Sequence, residues 1–178
     1  MVNPSPQQYG KWCRKTFLKH LEKEYGELVL REPWILENGE KKILVRVSKF
    51  NEKYYKYFYD VYLDDWQTWD GDSCLALLMH DGEQLSYVLL NPKESQELLD
   101  KINPATDGSK NINIYMPSPG KLYIQKWPDF PFAGRIVKIG PIIKSGFTPL
   151  SPEVQAALRD KSPQEIAVLL EKILEREK

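Results

Sequence analysis

The chain has 178 residues, with 25 lysines and arginines balanced by 25 aspartates and glutamates, so it lacks the global basic charge of a strong electrostatic nucleic-acid binder and any such binding must come from a local patch. Two cysteines, Cys13 and Cys74, are too few and too far apart for a disulfide framework or a cysteine-rich zinc site, and both are expected to be reduced. With no secretory h-region and no apolar run approaching the roughly 20 residues that span a bilayer, the expectation is a soluble cytoplasmic protein without a membrane partner.

The length suits one domain with an ample core. Ser5-Pro6-Gln7-Gln8 announces a helix, with Ser5 as N-cap, Pro6 at the first helical position and Gln8 closing a capping box. Gly26 ends it. Within it Cys13, Phe17, Leu21 and Tyr25 form an apolar stripe, and Lys11, Lys15, Lys19 and Lys23 form a second one. The lysine stripe reads either as a solvated face or as a surface that tracks phosphates.

Residues 28–37 and 41–50 flank Asn38-Gly39, the strongest short-range hairpin signal, because a type I′ turn needs positive φ at both central residues. An aromatic strand at 53–62, Lys-Tyr-Tyr-Lys-Tyr-Phe-Tyr-Asp-Val-Tyr, should continue an antiparallel meander. Alternation puts Lys53, Tyr55, Tyr57, Tyr59 and Val61 on one face and Tyr54, Lys56, Phe58, Asp60 and Tyr62 on the other. Phe58 alone lacks a polar handle, so its face is expected to be buried and the Tyr55–Tyr57–Tyr59 face exposed.

After a turn-rich connection containing Asp64, Asp65, Asp70 and Asp72, residues 74–80 and 84–90 make a second hairpin about Asp81-Gly82. Its near-continuous leucines and valine argue for a central strand pair buried on both faces. Asn91-Pro92-Lys93-Glu94 repeats the cap logic and starts a helix that carries Leu98, Leu99 and Ile102 inward. An exposed loop at 103–110 leads to a third hairpin, 112–116 with 122–127. A Pro/Gly-rich arm at about 128–150 follows, packed by Phe130, Phe132 and Phe147, with a strand candidate at 136–139. Two helices close the chain after Ser151-Pro152 and Ser162-Pro163. The expected fold is α+β: an N-terminal helix, a mainly antiparallel sheet of hairpins and a middle helix over 1–150, with a C-terminal helical pair at 151–178.

Enzyme signatures are mostly missing. There is no Walker loop, dinucleotide fingerprint or nucleophile elbow, and His20 and His80 are the only histidines. Carboxylates are the remaining chemistry, since paired acids can hold Mg²⁺ through oxygen ligands. Asp60 stands out because an acid inside an aromatic strand needs a cationic or amide partner if buried.

The order helix, meander, hairpin, helix, with the leucine-rich strands followed by a Pro-Lys-Glu helix start, resembles the restriction-endonuclease-like PD-(D/E)XK group. That resemblance implies a metal-binding acid and an orienting lysine on adjacent strands. On Ile43-Leu-Val-Arg46-Val-Ser48 the acid would fall on Arg46 and the lysine on Ser48, which implies a degenerate relative that binds without cleaving. The leading expectation is therefore non-catalytic nucleic-acid binding through Arg46, Lys49, Lys53, Tyr55, Lys56 and Tyr57, the cations taking phosphates and the rings stacking bases. No metal or other cofactor enters that reading. One alternative is a Mg²⁺-dependent nuclease using Glu24, Asp60, Asp64 and Asp65. Another is a protein-interaction or homo-oligomeric assembly module, in which the tyrosines and the tryptophans Trp34, Trp66, Trp69 and Trp127 bury against a partner.

Overall fold

The structure, a computed structural model, describes residues 4–32, 35–37, 42–62, 73–118 and 121–144. The chain divides into two compact units, Met1–Ile143 and Lys144–Lys178. The Asn38-Gly39 turn, the acidic connection with Asp64 and Asp65, Phe147 and both C-terminal helix starts lie outside the described residues.

Helix α1 spans Pro6–Tyr25 with the expected capping box: Gln8 N donates to Ser5 Oγ and Ser5 N to Gln8 Oε1. Gly26 ends it at φ 75°, a left-handed position that a side chain would strain. Nine strands follow among the described residues: β1 Val29–Glu32, β2 Ile35–Glu37, β3 Lys42–Lys49, β4 Lys56–Val61, β5 Cys74–His80, β6 Gln84–Leu90, β7 Lys110–Ser118, β8 Lys121–Ile124 and β9 Val137–Pro141. Helix α2, Pro92–Asp100, starts on an Asn91–Glu94 capping box and buries Leu98 and Leu99.

The strands form two sheets, a six-stranded one of order β1-β2-β3-β5-β6-β9 and a three-stranded one of order β4-β7-β8. The large sheet is covered on both faces. On one side Cys13, Phe17 and Leu21 of α1 pack against Leu36, Ile43, Val45, Ala76, Leu78 and Tyr87. On the other, Leu44, Leu75, Leu77, Val88 and Leu90 pack against α2 and the inner face of the small sheet, with Tyr59, Val61, Ile112, Ile114 and Ile124. This double burial explains why β3, β5 and β6 are apolar along most of their length. The large sheet thus separates α1 from the small sheet.

Two expectations change. The stretch 28–37 holds two strands, Val29–Glu32 and Ile35–Glu37, which pair antiparallel with Val29 opposite Glu37 and Leu30 opposite Leu36. The aromatic strand does not continue a meander. β3 pairs in parallel with β5, Ile43 opposite Cys74 through Lys49 opposite His80, and parallel neighbours need a long crossover. β4 lies within that crossover and pairs antiparallel with β7, as the first strand of the second sheet. The strand candidate in the Pro/Gly-rich arm is β9, which pairs with β6 at the edge of the large sheet.

Candidate functional site

The chain leaves β3 through a tight turn. Asn51 N donates to Lys56 O (2.9 Å) and Lys56 N to Asn51 O (3.3 Å), and Asn51 Oδ1 accepts from Tyr54 N. Tyr55 sits in the left-handed region at φ 50°, a conformation that costs of order 1–2 kcal/mol for a residue with a Cβ. Met116 N donates to Tyr55 O (2.8 Å) and ties the turn to β7. β4 therefore begins at Lys56, after the turn.

On the side of β4 turned toward β3, side chains take the place of a backbone ladder. Phe58 N donates to Ser48 Oγ (2.9 Å), and Arg46 Nε donates to Asp60 O (2.7 Å). Arg46 is buried, and burial, with Arg14 nearby, draws its guanidinium down to about 10. The strand positions where the PD-(D/E)XK resemblance would place an acid and a lysine thus brace the neighbouring strand.

The expected face assignment is reversed. Tyr59 and Val61 are buried, Tyr57 packs against the core and Phe50, and the Tyr59 hydroxyl donates to Leu78 O (3.2 Å). The exposed side of the strand carries Lys56, Phe58 and Asp60, flanked by Tyr54 and Tyr62; Tyr54 is 55% exposed, Phe58 42% and Tyr62 51%. The physical reason is charge: inside β4 proper both ionisable residues, Lys56 and Asp60, share one face, while the other holds rings and a valine. The lack of a polar handle on Phe58 suggested the opposite, but that ring stands exposed.

The outer face continues across β7 and β8 by register. Lys56 lies opposite Tyr115, which lies opposite Tyr123; Phe58 lies opposite Asn113, and Asp60 opposite Asn111. Lys56 Nζ donates to Asn113 Oδ1 (2.7 Å) and stands 5.9, 5.5 and 5.7 Å from the ring centres of Tyr54, Phe58 and Tyr115. Tyr115 and Tyr123 stack, centroids 5.7 Å apart and 19° between planes. Lys53 lies 5.3 Å from the Tyr54 ring. The result is an aromatic platform with a cation at its centre.

Beyond Phe58 the face drops into a hollow of about 450 Å³ lined by Phe58, Asp60, Thr106, Asp107, Ser109 and Asn111. Asp107 Oδ1 accepts from Ser109 N (3.0 Å) and Oγ (2.7 Å), which holds its carboxyl below the usual range. Burial, with Asp107 nearby, raises the Asp60 carboxyl, and Arg46 opposes the rise. The Asn111 Oδ1 atom is buried without a hydrogen-bond partner among the described residues.

Of the other expected site residues, Lys49 is exposed at the end of β3, and Tyr55 is exposed in the turn. Arg46 is buried and Tyr57 is half-buried against the core, so neither belongs to the exposed face. The nuclease set is not assembled among the described residues: Glu24 lies on α1 and Asp60 on β4, on opposite sides of the large sheet. No group of three His, Cys, Asp or Glu side chains there could hold a metal ion. The lysine stripe of α1 is exposed at all four positions. No described helix is long and apolar enough to cross a membrane. No protein-family model, curated protein or solved structure matches the chain.

Sequence reasoning missed Phe58, Asn113, Tyr115 and Tyr123 as members of one surface. The alternation of β4 and of 112–116 was readable, but their pairing joins segments far apart in the chain.

Proposed function

We propose that the outer face of the three-stranded sheet binds single-stranded nucleic acid without cleaving it. The observation that carries this reading is the arrangement of Tyr54, Phe58 and Tyr115 around the Lys56 ammonium, with Tyr123 stacked on Tyr115. Rings on an exposed sheet stack bases irrespective of sequence, and interleaved cations neutralise the phosphates between them. Lys53, Lys56 and the exposed Lys121 supply that charge locally while the whole chain stays neutral.

Titration of a fluorescent single-stranded oligonucleotide tests the proposal. Three phosphates neutralised correspond to a slope of log K against log salt of about −2 on single strands. Phe58→Ala should weaken binding by about 1–3 kcal/mol, the scale of one base on one ring. Absence of binding at about 50 mM salt, or binding that ignores salt, overturns the reading. Salt-resistant self-association that Phe58→Ala abolishes would instead assign the face to a protein partner.

A further inference from the structure

We propose that the hollow at the Asp60 end of the platform receives one base of the bound strand and selects guanine by its Watson–Crick edge. This rests on the platform reading above and adds a specificity site to it. The hollow differs in chemistry from the rest of the face. Around Lys56 the surface offers rings and a cation; beyond Phe58 it offers carboxylates and an amide. Two acids repel a phosphate, so the part of the strand that enters is an uncharged one, and the Phe58 wall favours a base over a sugar.

Three features define which base. Phe58 forms a wall against which a flat ring can stack. Asp60 and Asn111 face each other across the β4–β7 ladder, and neither the Asp60 carboxylate nor the Asn111 amide makes a side-chain hydrogen bond to a described residue. The Oδ1 end of that amide is buried and unsatisfied, which leaves the Nδ2 donor as the end the hollow can use. An ionised carboxylate offers two acceptors side by side. Guanine presents two neighbouring donors, N1–H and N2–H, beside the O6 acceptor. Adenine and cytosine place a ring-nitrogen acceptor next to their amine and would set it against one carboxylate oxygen. The Asn111 Nδ2 group beside the carboxylate supplies the donor for O6. Asp107 is held by Ser109 and stays an acceptor at the rim. Arg46, through the Asp60 carbonyl, fixes the strand that carries the selecting carboxylate.

The test uses the full chain and a set of short single strands identical except for one central position carrying guanine, inosine, adenine or cytosine, with affinities read by fluorescence anisotropy in EDTA. Guanine should bind about tenfold tighter than adenine or cytosine, the discrimination expected of one bidentate contact. Inosine, which lacks only the N2 amine, should fall between. In Asp60→Asn the ratio of guanine to adenine affinity should collapse toward one, with the thermal midpoint of the variant showing that it is folded. Salt-dependent binding with equal affinity for all four strands overturns the guanine site and leaves the platform standing. Failure of every strand to bind overturns both. A guanine preference that appears only when Mg²⁺ replaces EDTA overturns direct recognition and assigns the hollow to a cation.

Discussion

The Tyr59 ring is sealed in the core with its hydroxyl on the Leu78 carbonyl, while the adjacent Phe58 ring stands in solvent. Removing the Tyr59 side chain should cost about 3–5 kcal/mol, the range for aromatic truncation in a packed interior. Tyr59→Phe should cost about 1 kcal/mol, because it deletes one hydrogen bond and leaves a single carbonyl lone pair unmet. Chemical denaturation checks both, with Phe58→Ala as the contrast that shifts the midpoint little. The two faces of the strand were readable from alternation, but the lack of a polar handle on Phe58 pointed to the wrong one as buried. A tyrosine hydroxyl looks like a reason for exposure until a carbonyl from a distant strand satisfies it. The readable clue was that Lys56 and Asp60 fall on the same side.

At the scale of elements, β4 is held on one edge by the β7 ladder and on the other by two side chains of β3. Ser48→Ala would leave the Phe58 N–H without its acceptor, a loss of about 1–3 kcal/mol if no water replaces it. Amide hydrogen exchange should report it first as faster exchange at Phe58, with β5 and β6 unaffected. The two α-helices among the described residues were legible because their start signals are local: Ser5 with Gln8 and Asn91 with Glu94 lie three residues apart and cap as expected. The β5–β6 hairpin was legible for the same reason, with Asp81 Oδ1 accepting from Glu83 N and Gln84 N at its turn. The parallel β3–β5 pairing was not legible, because nothing local distinguishes a strand that turns back on itself from one that departs on a crossover.

For the whole molecule, the most consequential ionisable group is His80, buried where β5 ends and stacked on Tyr9 of α1, 5.3 Å between centroids. Burial, with Lys49 nearby, lowers it to about 4, with Asp81 opposing the shift. The unfolded chain takes up a proton near 6.5 and the folded one does not, so stability falls as pH drops from about 6.5 and levels off below about 4. The loss approaches about 3 kcal/mol at its largest. His80→Gln should flatten that part of the acid-unfolding curve, as followed by tryptophan fluorescence. By the same burial the Cys13 thiol is pushed up to about 12, so it stays protonated and unreactive until the fold opens.

The pairing of β4 with β7 also has a consequence during synthesis. β4 emerges with both faces bare, and β7 follows only about 50 residues later, a delay of a few seconds at ordinary translation rates. Through that interval Tyr57-Phe58-Tyr59 is a nascent segment of high β-propensity with no partner. Lys56 and Asp60 bracket it, and charges in those positions keep such a segment from pairing with its own kind. The ammonium that centres the finished platform would, on this view, first serve the growing chain as a guard against self-association.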